Sequence, residues 1–347
     1  MSNLITASTG PVPVIDISPL ISSNESALIE ARSGIAAAVD KACRETGFFY
    51  IAGFGIDEGL LSRVWDVTRW FFDLPREDKR VAERSEENSR GYYDRELTKN
   101  IRDMKEVFDF GHVPNPSLPE DHPDNITEDG WNLWPTAEGS SEFKKTLNEY
   151  YDACGRAAIA LLKVMASNLS DNHGQLIRDF YPQHSSFLRL NYYPVKDPLA
   201  DDGSQSSAGT GHMGVHHHTD AGAFTLLLQD DVAGLQIHHG GAWIPVDPIP
   251  GTVVVNTGDI VQVWSNDRYT APLHRVVASR DKDRYSLPYF FNPRYSANYA
   301  PVPGLLSESK PARYSSINWG HFRKERQHGD YGDYGKEIQI SDFRISA

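Results

Sequence analysis

Beyond Phe187 the chain breaks into short alternating or apolar runs: Phe187 to Tyr193, Phe224 to Leu228, Leu235 to Ile237, Thr252 to Asn256, Ile260 to Val263, His274 to Val277 and Ser286 to Phe291. Gly, Pro, Asp and Asn punctuate them at short intervals, the pattern of a β-sandwich or jelly roll. The first half reads differently. Val12 to Ile17 predicts a short edge strand and Gly47 to Ile51 a buried one. Helical spacing of apolar residues marks Ala27 to Cys43 (Leu28, Ile35, Val39, Ala42), about Asp57 to Phe72, and Glu142 to Leu169. The expected fold is mainly β with flanking helices: a single domain over 1–347, with a mainly helical part at 1–184, a jelly-roll core at 185–295 and a C-terminal extension at 296–347.

Acidic residues outnumber basic ones, 47 to 34, and a net charge of −13 repels phosphate backbones and argues against a nucleic-acid partner. No run approaches the roughly 18 apolar residues that span a bilayer. Met1 to Pro13 has neither a basic start nor an apolar core, so the cytosol is the expected compartment. With only Cys43 and Cys154, both in helix-like segments, a disulfide framework or thiolate zinc site is not expected. The partner expected is a small molecule; the oligomeric state is not legible.

His218-Thr219-Asp220, with His274 54 positions after Asp220, carries the chemistry. Residues i and i+2 of a strand share a side, so His218 and Asp220 can reach one cation, with His274 supplied by an antiparallel neighbour. Two imidazoles and a carboxylate on one face of an octahedral iron(II) leave three positions for a bidentate co-substrate and dioxygen. His216 has the same parity, and a three-histidine site of His216, His218 and His274 is the competitor. His217 faces the other way; His238 and His239, before Gly240-Gly241, read as turn residues. Arg284 and Ser286, ten and twelve residues after His274, put a guanidinium and a hydroxyl on one strand face, suited to a carboxylate. Gly209 to Gly214 matches G-x-G-x-x-G but lacks the strand before and helix after it that a dinucleotide site needs. The Asp-, Ser- and Gly-rich stretch Asp197 to Gly214 reads as a loop able to act as a lid.

Taken in order, Val12-Pro13-Val14-Ile15-Asp16, Gly47-Phe48-Phe49-Tyr50, Asn191-Tyr192-Tyr193-Pro194, His218-Thr219-Asp220, Asn256-Thr257-Gly258-Asp259, Leu273-His274-Arg275-Val276 and Arg284-Tyr285-Ser286 resemble the isopenicillin N synthase-like iron(II)/2-oxoglutarate dioxygenases over nearly the whole chain. The resemblance implies a double-stranded β-helix with helices packed outside. It implies Fe(II) on His218, Asp220 and His274, 2-oxoglutarate bound by Arg284 and Ser286 with Tyr193, Asn191 near the chelating end, and O2 as oxidant. No catalytic residue beyond the metal site is implied. Hydroxylation is the usual outcome in such enzymes. A related oxidase that desaturates or closes rings without consuming 2-oxoglutarate is the alternative. Ala221-Gly222 and Asn318-Trp319-Gly320 are similar to members that hydroxylate homoarginine. Glu96-Leu97-Thr98, followed by Asp103-Met104-Lys105-Glu106, resembles the region where the ethylene-forming enzyme holds a guanidinium, though the surroundings depart from it. Glu96 and Thr98 are therefore candidate substrate contacts, with the basic end of a small amine-bearing acid expected toward Glu96.

Overall fold

The computed structural model describes residues 10–21, 28–98, 101–171, 174–197, 199, 213–328 and 338–345. Most of the expected Asp197–Gly214 lid, namely residues 198 and 200–212, lies outside them. Met213 and Gly214 open a strand, not the helix a dinucleotide loop would require.

Three helices shape the N-terminal half: α1 (Leu28–Glu45), α2 (Glu58–Asp73) and α3 (Ser140–Leu169). Asp57 caps α2 by accepting from the Leu60 N–H, which satisfies one of the donors left unpaired at a helix start. The strands that build the site are β1 (Val14–Asp16), β2 (Phe48–Ala52), β3 (Gly91–Tyr93), β4 (Glu106–Gly111), β5 (Phe187–Tyr193), β6 (Met213–His218), β7 (Phe224–Gln229), β8 (Leu235–His239), β9 (Ala242–Pro245), β10 (Thr252–Thr257), β11 (His274–Val277) and β12 (Arg284–Phe291). They form an eight-stranded sheet in the order β1-β2-β10-β7-β12-β5-β4-β3 and a four-stranded sheet in the order β9-β8-β11-β6. All pairs are antiparallel except β1 with β2.

Alternation along the strands divides the interior in two. Phe49, Ile51, Leu188, Leu190, Leu226, Leu228, Val253, Val255, Leu287 and Tyr289 pack with the helices in one core. Their neighbours Phe48, Tyr50, Tyr193, Leu227 and Val254 turn the other way and meet Val215, Leu235, Ile237 and Val276 of the smaller sheet. Each large apolar side chain so removed from water contributes about 1.5–3 kcal/mol, so a one-residue slip in register would exchange two buried faces at once. The same parity sends Arg189, Asn191 and Tyr193 of β5, and Arg284 and Ser286 of β12, between the sheets.

The sequence reading differs from the structure in three places. Ile260 to Val263 is part of a helix, α4 (Asp259–Trp264), buried on nearly every side. A short apolar run has no period that separates strand from buried helix, and here the Asp259 and Ile260 N–H groups bond to the carbonyls of Asp220 and Gly222. His238 and His239 end β8 and precede the turn, which Gly240 and Gly241 make with positive φ. The larger sheet also crosses the expected boundary at residue 185, because β1 to β4 from the N-terminal half pair into it. Among the described residues no helix is long and apolar enough to cross a membrane.

Candidate active site

His218 closes β6 and His274 opens β11, and the two are partners in the antiparallel register, which brings their rings to 4.3 Å. Each ring is oriented by its own backbone: His218 Nδ1 lies 2.8 Å from the His216 carbonyl and His274 Nδ1 3.0 Å from the Pro272 carbonyl. A carbonyl only accepts, so both Nδ1 atoms carry the proton and both Nε2 lone pairs are left for a metal. Asp220 Oδ1 is 3.6 Å from each Nε2. Among the described residues these three are the one group of three or more His, Cys, Asp or Glu whose ligand atoms cluster, all within 4.8 Å.

Asp220 lies just beyond the end of β6, so strand parity alone does not aim it. Its Oδ2 accepts from Thr225 Oγ1 at 2.5 Å and Asn256 Nδ2 at 2.7 Å, which leaves Oδ1 toward the histidines. Burial works to raise the Asp220 pKa, but the attraction of His274 and the His218 contact outweigh it and hold the carboxyl well below its usual range. Burial and repulsion from His218 push His274 down to about 4, so it is neutral near pH 7. A carboxylate beside two imidazoles whose Nε2 atoms converge on it fits a divalent iron. Thr225 and Asn256 escaped sequence reasoning in this role. The signal for Asn256 was its place in Asn256-Thr257-Gly258-Asp259, where Gly258 also matters: a Cβ there would lie 2.3 Å from the Gly222 carbonyl oxygen and 2.9 Å from that of Asp220.

His216 is turned elsewhere. Its Nδ1 and its backbone N–H both meet Asp103 Oδ1, at 2.9 and 3.1 Å, and it is not in the cluster, so the structure gives the three-histidine arrangement no support. His217 stands on the exposed side near Trp243.

Asn191, Tyr193, Arg284 and Ser286 line one cavity with His218, Asp220 and His274. Cross-strand register explains their meeting: Arg284 is opposite Tyr193 and Ser286 opposite Asn191. The Arg284 guanidinium stands 5.0 Å from the Tyr193 ring centre, and Asn191 Nδ2 is 3.4 Å from Ser286 Oγ. Arg284 is fully buried, yet its hydrogen-bond partners are uncharged, the Val232 carbonyl at 3.2 Å and Gln229 Oε1 at 2.9 Å, while Nη1 has no hydrogen-bond partner among the described residues. An enclosed guanidinium with an idle N–H group fits the far carboxylate of a 2-oxo acid chelated at the histidines.

Glu96 and Thr98 require a correction, because neither lines the cavity. Glu96 is 3% exposed and enclosed by three cations, Lys105 at 2.7 Å and Arg84 and Arg189 at 2.8 Å. Burial alone would raise its pKa, but Arg189, Lys105 and Arg84 together hold it well below the usual value. A carboxylate satisfied in this way is not available to a substrate cation. Thr98 donates to Asp103 Oδ2 at 2.7 Å. The residues of this network that do reach the cavity are Lys105 and Arg189.

The 2OG-Fe(II) oxygenase superfamily model matches residues 184–293, and that of the non-haem dioxygenase in morphine synthesis N-terminal region matches residues 12–137. A probable iron/ascorbate oxidoreductase of Dictyostelium discoideum is 32% identical over 342 residues, covering 93% of this chain and 92% of that protein. A homoarginine-6-hydroxylase of Glycine max is 33% identical over 303 residues, 84% of this chain and 88% of the relative. The crystal structure of a full-length Neurospora crassa protein in complex with alpha-KG and thymine superposes with a TM-score of 0.75 at 28% identity, covering 91% of this chain and 96% of that one. The fold is a jelly roll with flanking helices. The chain belongs to the 2OG-Fe(II) oxygenase superfamily, and it is a 2-oxoglutarate-dependent non-haem iron dioxygenase.

Proposed function

We propose that this dioxygenase hydroxylates a small molecule, with amino acids of the homoarginine kind as the first compounds to test. Iron is assigned to His218, Asp220 and His274, and 2-oxoglutarate to Arg284 and Ser286, with Tyr193 beneath the guanidinium and Asn191 beside Ser286. The observation that carries this reading is Arg284: a fully buried guanidinium whose Nη1 has no partner among the described residues, on the wall of the cavity that His218 and His274 also line.

When bound, iron(II) with 2-oxoglutarate and dioxygen supplies the oxidant: one oxygen atom ends in succinate as carbon dioxide leaves, and the other in the hydroxylated product. The protein's own part is positional. Backbone carbonyls fix both imidazole tautomers, Thr225 and Asn256 fix the carboxylate, and the apolar wall of Val215, Leu227, Leu235 and Val276 limits water in the cavity. A relative named as a homoarginine-6-hydroxylase, 33% identical, supports the choice of amino acids.

The test is anaerobic titration of the chain with iron(II) and 2-oxoglutarate, then succinate measurement in air with L-homoarginine, other amino acids and aromatic metabolites. Succinate formed in step with a hydroxylated product is the expected result. Turnover of a substrate without loss of 2-oxoglutarate would refute the reading.

A further inference from the structure

The charges on the cavity wall are unevenly assigned. Of the charged residues that line it, Asp220 belongs to the metal cluster and Arg284 to the 2-oxoglutarate end, and Lys105 and Arg189 remain. Their carboxylate partners Glu96, Asp103 and Asp109 do not line the cavity. Three cations, Arg84, Lys105 and Arg189, balance those three carboxylates. The layer is therefore neutral as a whole, but two of its cations stand toward the cavity and its anions stand away from it. Among the described residues, a cationic group entering here finds no carboxylate apart from Asp220, whereas an anionic one finds Lys105 and Arg189.

Lys105 is the better-defined of the two. It is 4% exposed and makes ion pairs with Glu96 at 2.7 Å and Asp103 at 3.0 Å. An ammonium has three N–H bonds, and two carboxylates take two directions, leaving one for an acceptor in the cavity. Burial would favour loss of its proton, but Asp103 and Glu96 outweigh that and keep it charged.

We propose that Lys105, with Arg189 beside it, anchors a carboxylate of the primary substrate, so that the enzyme acts on small organic acids. This deepens the hydroxylase reading above and rests on it. Amino acids satisfy it through their carboxylate and not through a basic side chain.

The experiment uses the full chain loaded anaerobically with iron(II) and 2-oxoglutarate. Calorimetry follows binding of L-homoarginine, octanoate and 3-phenylpropanoate, each beside its primary amide, with thymine as an uncharged comparator. At least one acid is expected to bind roughly tenfold or more tightly than its amide, the scale of one charge-assisted hydrogen bond. In Lys105→Met that preference should shrink below about threefold, while Lys105→Arg should keep most of it. A lysine that merely stiffens the wall would weaken acid and amide together and leave their ratio unchanged, which would overturn the proposal. So would equal binding of every acid and its amide by the unmodified chain, failure of all the acids to bind, or binding confined to thymine. These comparisons on the unmodified chain decide the matter even if Lys105→Met does not fold. Succinate formation in the same preparation tests the hydroxylase reading separately: succinate with no acid preference defeats only the assignment to Lys105.

Discussion

Replacing Arg284 with methionine keeps much of the side-chain volume and removes a charge that is fully buried and whose hydrogen-bond partners among the described residues, the Val232 carbonyl and Gln229, are uncharged. Two opposite effects should follow. Without 2-oxoglutarate the variant should be as stable as the parent or more so, because a desolvated guanidinium whose Nη1 has no partner among the described residues is itself unfavourable. With 2-oxoglutarate the order should reverse. Removing one partner of a buried, hydrogen-bonded charge pair costs about 2–5 kcal/mol, or roughly thirty- to several-thousand-fold in affinity. Ligand at a hundred times its dissociation constant stabilises the parent by about 2.7 kcal/mol, and at the same concentration no more than about 0.9 kcal/mol of this should survive in Arg284→Met. Anaerobic calorimetry with iron(II) gives the affinity, and thermal unfolding with and without 2-oxoglutarate gives the linked stability. Arg284→Lys should recover little, since a point charge does not reproduce a planar pair of donors. Binding of 2-oxoglutarate to Arg284→Met within about threefold of the parent, or a large loss of stability in its absence, would refute the reasoning.

Gly258→Ala should lower iron affinity and cost roughly 1–3 kcal/mol of stability, because its methyl would press on the Gly222 and Asp220 carbonyls; metal titration and denaturant melts on one preparation check both. Glu96→Gln should act on stability, by about 3–5 kcal/mol, since Lys105, Arg84 and Arg189 lose a shared counter-charge. A Glu96→Gln protein of unchanged stability that had lost affinity only for basic compounds would reinstate the guanidinium-binding role. His184, held down to about 3 by burial and by His112, remains neutral in the folded chain where the unfolded chain takes up a proton. Stability should therefore fall as pH drops from about 6.5 toward 3, by up to a few kcal/mol. His184→Asn should flatten that slope in urea melts at stepped pH; an unchanged slope would count against it.

Some of this protein could be read residue by residue. Strand parity is a local property of the backbone, so Asn191 and Tyr193 on one strand, and Arg284 and Ser286 on another, were bound to share faces once those segments were extended. The spacing of His218, Asp220, His274 and Arg284 was specific enough to imply iron and a carboxylate-bearing co-substrate. Other features depend on what approaches from far along the chain. Ile260 to Val263 is helical because its first N–H groups find the carbonyls of the Asp220 loop. His216, of the right parity for a metal, is instead held by Asp103, 113 residues away. Asp220 is aimed by Thr225 and Asn256, since the strand ends before it. Glu96 looked like an anion waiting for a substrate, and folding surrounded it with Arg84, Lys105 and Arg189. A charge's availability depends on every partner that packs against it, and those partners are chosen by long-range contacts that no local pattern encodes.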